Sequence, residues 1–261
     1  MGLETIRIIL VEPAGPLNVG SVARVMKNMG LHQLVLVNPQ CDPLEAQARQ
    51  MAVHGINILE TAQQVPTLPD ALTGCQRAIA TTSRTRTLST PLESPRTALS
   101  WLLEPGVCSA LIFGPEDRGL SNLELNYAQR FVCIPASSEY PSLNLAQAVA
   151  ICCYELYSQA YSPSSPVESA ASIPAIGVEP TAPLEDLEGY YQHLESVLLK
   201  IGYLYPHTAL ARMEKFRSLY RRSMPTSEEV AMLRGILRQI EWAIEYLPKV
   251  EVFENSEPKE S

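Results

Sequence analysis

The chain has 261 residues, 46% of them apolar, enough for one large core or two smaller ones. It holds no run of about 18 apolar residues, and "MGLETIRIIL" enters a strand-like pattern without a signal-peptide apolar region, so a soluble, cytoplasmic protein is expected. The net charge of −8 argues against a nucleic-acid partner only if it is evenly spread. Residues 1–161 carry 10 basic and 13 acidic groups, residues 162–186 none and 4, residues 187–247 8 and 7, and residues 248–261 2 and 4. The acidity is concentrated in a middle segment and a tail, which excludes no local basic patch. Six cysteines lie mostly in apolar surroundings with no C-x-x-C pair and no histidine at ligand spacing, which reads as reduced thiols and no metal.

In chain order, the first 161 residues alternate short apolar or β-branched runs with helical patterns. Strands are predicted at 6–11, 33–38, 56–59, 77–81, 109–114 and 131–135, each a near-continuous apolar run of the kind found in a parallel sheet covered on both faces. "NVGSVARVMKNMG" reads as a helix with Asn18 as N-cap, Gly30 at its end, and a stripe of Val19, Val22, Met26 and Met29. "SNLELNYAQ" carries a Ser121/Glu124 capping box, and "NLAQAVAICCYEL" offers Asn144 as N-cap before a stripe of Leu145, Val149, Cys152 and Leu156. This alternation means an α/β domain over 1–161. Residues 162–186 hold five prolines, several serines and no basic residue, the composition of a solvated linker. Helical patterns follow at 187–201, 208–223 and 226–246. The last opens on a Thr226/Glu229 capping box and places Leu233, Ile236, Leu237, Ile240 and Ile244 on a buried face. Residues 187–247 thus read as a small helical extension and 248–261 as an acidic tail.

An α/β sheet binds ligands beyond the carboxyl ends of its strands. Neither G-x-G-x-x-G after the first strand nor G-x-x-x-x-G-K-[ST] is present, which removes the main support for nicotinamide, flavin and nucleoside-triphosphate readings. Three strand ends are instead unusually polar or glycine-bearing: "ATTSRTR" (80–86), "FGPEDRGLS" (113–121) and "IPASSEYPSLN" (134–144).

Together with Asn18, Gly20 and Arg24, these segments resemble the SpoU/TrmH branch of the SPOUT RNA methyltransferases. The second motif is Phe113, Gly114, Glu116, Gly119 and Leu120, and the third Ile134, Pro135, Ser142, Leu143, Asn144 and Ala148. "TTSRTRTL" and "MLRGILRQIE" extend the resemblance to the bacterial tRNA ribose methyltransferases of the TrmJ type over nearly the whole chain. The resemblance implies a homodimer with a trefoil-knotted α/β domain, S-adenosylmethionine as cofactor, and methylation of the ribose 2′-OH of cytidine or uridine at nucleotide 32 in the tRNA anticodon loop. It places Thr81, Thr82, Ser83, Gly114, Gly119, Ile134, Ser142 and Leu143 around the cofactor, and Arg24, Ser142, Asn144 and Glu116 at the chemistry.

The residue types have their own logic. Gly114 lacks a Cβ and allows close backbone approach, whether to a ligand or simply within a turn, and Gly119 leaves the same choice open. Glu116 either holds a loop or meets the substrate. Arg24, on the side of its helix away from the apolar stripe, has a pKa too high for a general base but a guanidinium suited to gripping phosphate; it is otherwise a solvated arginine. Asn144 caps a helix with or without a part in catalysis. Ser142 lacks the G-x-S-x-G surroundings of a hydrolase nucleophile. Arg84 and Arg86 beside the pocket, and Arg217, Arg221 and Arg222 on the helical extension, are the candidates for RNA phosphate contact. A methyltransferase acting on ribosomal RNA or another tRNA position, and a non-catalytic RNA-binding module on the same fold, are the alternatives.

Overall fold

The computed structural model describes residues 2–83, 91–161 and 181–246. Arg84, Arg86, most of the expected linker and the acidic tail lie outside the described residues.

Seven parallel strands form one sheet: β1 (Ile6–Val11), β2 (Gln33–Val37), β3 (Gln63–Val65), β4 (Arg77–Thr81), β5 (Leu92–Glu93), β6 (Ser109–Phe113) and β7 (Arg130–Val132), in the order β3-β2-β1-β6-β4-β7-β5. Side chains alternate across it with the period of two that strands impose. Ile6, Ile8 and Leu10 of β1 enter one core with Leu34, Leu36, Ile79, Leu111 and Phe113, while Ile9 and Val11 enter a second with Val35, Val37, Ala78, Ala80 and Ile112. Both faces are covered, which is why the strands read as continuous apolar runs.

The helices are α1 (Pro16–Asn28), α2 (Ala46–Ala52), α3 (Ile56–Glu60), α4 (Leu68–Leu72), α5 (Pro95–Ala98), α6 (Asn122–Leu125), α7 (Leu145–Tyr161), α8 (Leu184–Lys200), α9 (Pro206–Ser223) and α10 (Ser227–Tyr246). α1 and α7 share the first core, with all four residues of the α7 stripe buried. α8, α9 and α10 enclose a third core around Tyr190, Tyr191, Leu194, Val197 and Met213. Among the described residues no helix is long and apolar enough to cross a membrane.

Three sequence expectations need correction. Residues 56–59 are helical, not a strand: a four-residue apolar run fits either period, and here Gly55 sits so close to α1 that a Cβ would come within 2.6 Å of the Ala23 carbonyl oxygen. The short strands β3 and β5 were not expected; at three and two residues they fall below the length at which a pattern is readable. Ile236 and Ile244 of α10 are exposed, whereas Val230 and Leu237 carry its buried face.

Gly20 decides how closely α1 lies on α2. A Cβ there would stand 2.2 Å from the Ala48 carbonyl oxygen. Alanine favours a helix interior over glycine by about 1 kcal/mol, but overpacking against backbone costs typically about 1–3 kcal/mol. Gly20→Ala is therefore expected to lower stability in urea denaturation despite its better helix propensity.

Candidate active site

β6, β4 and β7 are neighbours, and the residues at their carboxyl ends surround one cavity of about 250 Å³. Thr81 ends β4 with Thr82 and Ser83 after it, Gly114 to Leu120 follow β6, and Ile134 follows β7. Pro141, Ser142 and Leu143 complete the wall from the loop that enters α7, with apolar surface from Phe113, Val132, Leu145 and Ala148. All eight residues expected around a cofactor, and Glu116, line this space. The backbone N–H groups of Ile134, Ser142 and Leu143 donate to no described residue. Unpaired backbone donors beside apolar surface suit the edge of a planar heteroaromatic ligand.

Two glycines shape the loop after β6. A Cβ on Gly114 would lie 2.3 Å from the Leu120 nitrogen, so the close approach is to the chain's own backbone. Gly119 has φ +64 and donates its N–H to the Pro115 carbonyl at 2.9 Å, which accounts for it as a turn glycine. The loop ends in the expected Ser121/Glu124 capping box. Arg118, which also lines the cavity, reaches Glu124 through both guanidinium nitrogens at 2.9 and 3.0 Å and Glu12 at 2.7 Å. Burial raises the Glu124 pKa, but hydrogen bonds from Arg118 and Ser121 outweigh it and hold the carboxyl below its ordinary value.

Glu116 turns from the cavity wall toward α1. Its carboxylate accepts the backbone N–H groups of Ala14 and Gly15, each at 3.2 Å, and the Asn18 side-chain amide at 2.9 Å. Asn18 is the third residue of α1, not its N-cap; that position belongs to Gly15, which has no side chain to offer. The Glu116 carboxylate bonds the two N–H groups just ahead of the helix and places negative charge at the positive end of its dipole. Asn18 Oδ1 in turn accepts the Asn144 amide at 3.0 Å. The Asn144 Oδ1 caps α7, accepting Ala146 N–H at 2.9 Å and Gln147 N–H at 3.4 Å. One amide thus caps α7 and ties it to α1.

Arg24 does not line the cavity. It stands exposed on α1, six residues beyond Asn18, roughly 9 Å along the axis at 1.5 Å per residue, and makes no hydrogen bond or ion pair with a described residue.

Comparison with known proteins matches residues 5–154 to the SpoU rRNA methylase family and residues 185–249 to the C-terminal domain of the tRNA methyltransferase TrmJ. The chain belongs to the SpoU methylase family. It is 42% identical to the tRNA (cytidine/uridine-2′-O-)-methyltransferase TrmJ of Cronobacter sakazakii, over 92% of this chain and 97% of that protein. The corresponding enzyme of Pectobacterium atrosepticum is 39% identical, with 92% and 98% covered. Among solved structures, TrmJ from Z. mobilis ZM4 superposes with a TM-score of 0.78 at 33% identity, covering 90% of this chain and 98% of that one.

In this SpoU-family chain two arginines of the helical extension expected to face RNA turn inward instead, Arg217 pairing inside the extension with its guanidinium 5.6 Å from the Tyr127 ring, and Arg221 tying the extension to the α/β domain. Arg217 forms a bidentate pair with Glu188 at 2.6 and 2.8 Å, and its guanidinium lies 4.5 Å from the Tyr191 ring centre. Arg221 donates to the Ala128 carbonyl at 3.3 Å and lies over the Phe131 ring. Their spacing suggested a cationic strip, but the same face carries the aromatic seam and turns inward. Arg222, by contrast, is exposed, as are Arg234 and Arg238 on α10. Sequence reasoning also missed Arg118 and the tie between Asn18 and Glu116: Arg118 occupies an unspecified position of its motif, and the tie joins residues 98 apart in the chain.

Both side chains of the Arg217–Glu188 pair are about 85% buried, with 15% and 16% exposure. Removing one partner of a buried pair costs about 3–5 kcal/mol. Arg217→Ala should therefore lower the urea midpoint clearly while leaving the salt dependence of tRNA binding unchanged; a reduced salt slope at wild-type stability would place Arg217 on the RNA.

Proposed function

We propose that this chain is an S-adenosylmethionine-dependent tRNA 2′-O-methyltransferase acting on cytidine or uridine at nucleotide 32 of the anticodon loop. The observation that carries the reading is the single cavity where β6, β4 and β7 end, tied through Glu116, Asn18 and Asn144 to the helix that bears Arg24. Unpaired N–H groups of Ile134, Ser142 and Leu143 beside apolar walls fit an adenine edge, with Thr81, Thr82 and Ser83 closing the other side. When bound, S-adenosylmethionine supplies the electrophilic methyl group.

The protein's own task is to bring a ribose hydroxyl in line with that methyl. Arg24 is suited to grip an RNA phosphate through two parallel N–H donors. A guanidinium offers donors and no acceptor, so the hydroxyl proton leaves to phosphate or water. Glu116 and Asn144 act as positioning residues, since their polar atoms are engaged with α1 and α7. Ser142, exposed on the cavity wall, has a hydroxyl that bonds no described residue and can meet the ribose.

The remaining parts of the reading follow the family. A trefoil knot over the end of the α/β domain is supported by Ile134, Ser142 and Leu143, which line the cavity at the carboxyl ends of β6, β4 and β7 before α7 joins α1 in the first core. A homodimer is supported by an apolar face of α7 and α1, on which Ile151, Tyr154, Tyr161 and Leu17 are exposed. Residues 1–161 form the catalytic unit and 187–247, joined by the linker, a tRNA-binding extension presenting Arg222, Arg234 and Arg238. The cytoplasm, where tRNA is processed, is its place of action, with no membrane and no structural metal.

Incubation with labelled cofactor and tRNA should give a 2′-O-methyl group at nucleotide 32 by mass mapping. Label on another nucleotide would redirect the substrate, and no label on any RNA would leave a binding module. Arg24→Ala should lose methyl transfer in single-turnover assays by about 100-fold or more, in line with the loss of one preorganised charged contact, while cofactor affinity stays unchanged. Normal turnover would remove Arg24 from the mechanism.

A further inference from the structure

The amino ends of β4 and β6, at the opposite edge of the sheet from the cavity, hold two thiols in contact. Cys75 is fully buried, Cys108 is partly exposed, and their Sγ atoms are 3.5 Å apart. Backbone bonds fix both residues: Cys75 N–H donates to the Leu72 carbonyl and Gln76 N–H to the Cys108 carbonyl, each at 2.9 Å. The Gln76 side chain accepts the Cys108 N–H at 2.8 Å. Arg7 is held nearby by the Ala71 and Thr73 carbonyls at 3.1 and 2.6 Å.

The two thiols are unequal. A hydrogen bond from Cys75 pulls Cys108 down to about 6 against burial, with the Arg7 guanidinium assisting and the Glu185 carboxylate opposing. The same hydrogen bond, together with burial, pushes Cys75 far up. Cys108 is thus the accessible nucleophile and Cys75 the buried proton donor, the division of labour of a redox pair. Cys152 and Cys153 are fully buried on α7, and burial pushes both thiols up, while Cys41 and Cys133 are partly exposed with their thiols turned to the Pro13 and Ile134 carbonyls rather than to a second sulfur.

We propose that Cys75 and Cys108 form a redox modification site, closed to a disulfide by a peroxide. The Cys108 thiolate attacks one peroxide oxygen, the O–O bond breaks, and hydroxide leaves as Cys108 becomes a sulfenic acid. The Cys75 sulfur then attacks the Cys108 sulfur, the S–O bond breaks, and the hydroxyl takes the Cys75 proton away as water. The two thiols lose two electrons and the peroxide gains them. Closure needs the sulfurs to move from 3.5 Å to about 2.05 Å.

The site also touches the anchor of the helical extension. The Cys75 carbonyl accepts the Leu184 N–H at 2.9 Å, and the neighbouring Gly74 N–H donates to Glu185 at 2.7 Å. Closing the disulfide therefore pulls on the point where the first turn of α8 is tied to the sheet.

The test uses the reduced full-length chain, treated with equimolar hydrogen peroxide, alkylated and mapped by mass spectrometry. The expected result is a fall from six free thiols to four, with a peptide linking Cys75 to Cys108 and faster hydrogen exchange at Leu184. Cys75→Ser should stop at a Cys108 sulfenic acid captured by dimedone, and Cys108→Ser should give neither product. Full alkylation of Cys75 and Cys108 in the wild type while other thiols oxidise, or a stable Cys108 sulfenic acid with Cys75 intact, would overturn the proposal; neither depends on the variants folding.

Discussion

One carboxylate joins the parts of the candidate active site. Glu116 leaves the loop after β6, gathers two backbone N–H groups ahead of α1 and the Asn18 amide inside it, and so fixes where that helix begins. A helix N-terminus leaves its first N–H groups without partners, and α1 has glycine at its cap. Glu116 instead takes the N–H groups of Ala14 and Gly15, just ahead of that turn, in charge-assisted hydrogen bonds. The cavity loop and the start of α1 can therefore move only together. Asn144 adds the loop that enters α7, since its amide reaches Asn18 while its oxygen caps α7. Arg24 inherits its position from this arrangement rather than from contacts of its own.

Rigid support comes from packing. Gly20 and Gly55 let α2 and the turn before α3 press directly onto the α1 backbone, so α1 is clamped between the sheet and a second layer of helix. Interiors of this density transmit displacement rather than absorb it. The helical extension is joined differently, through single hydrogen bonds such as Leu184 to Cys75 and Arg221 to Ala128, and through the Arg221–Phe131 and Arg217–Tyr127 contacts. The buried Arg217–Glu188 pair braces α9 against α8 inside the extension.

Much of this was legible in the sequence, and the exceptions have physical causes. The main strands could be read because a sheet covered on both faces needs continuous apolar runs, and the loops could be read because motifs at strand ends keep fixed residue types. Ser121/Glu124 and Thr226/Glu229 were readable as capping boxes because each closes within four residues. Residues 56–59 were misread because a run that short carries no period. Asn18 was misread as a cap because the helix already begins at Pro16, and the Asn18 amide is held by a carboxylate 98 positions away. Arg217 and Arg221 were misplaced because a helix face with alternating arginine and aromatic residues looks the same whether it meets RNA or another domain.

The tie between Asn18 and Asn144 is most directly tested by a double-mutant cycle on the single-turnover rate of methyl transfer. Asn18→Ala removes the acceptor, and Asn144→Ser keeps a capping oxygen for α7 but loses the amide that reaches α1. If the two act through one contact, the double variant should be no slower than the slower single variant, a coupling of about 0.5–3 kcal/mol. Losses that simply multiply would mean that the two asparagines act independently, and that Glu116 alone aligns α1 with the cavity.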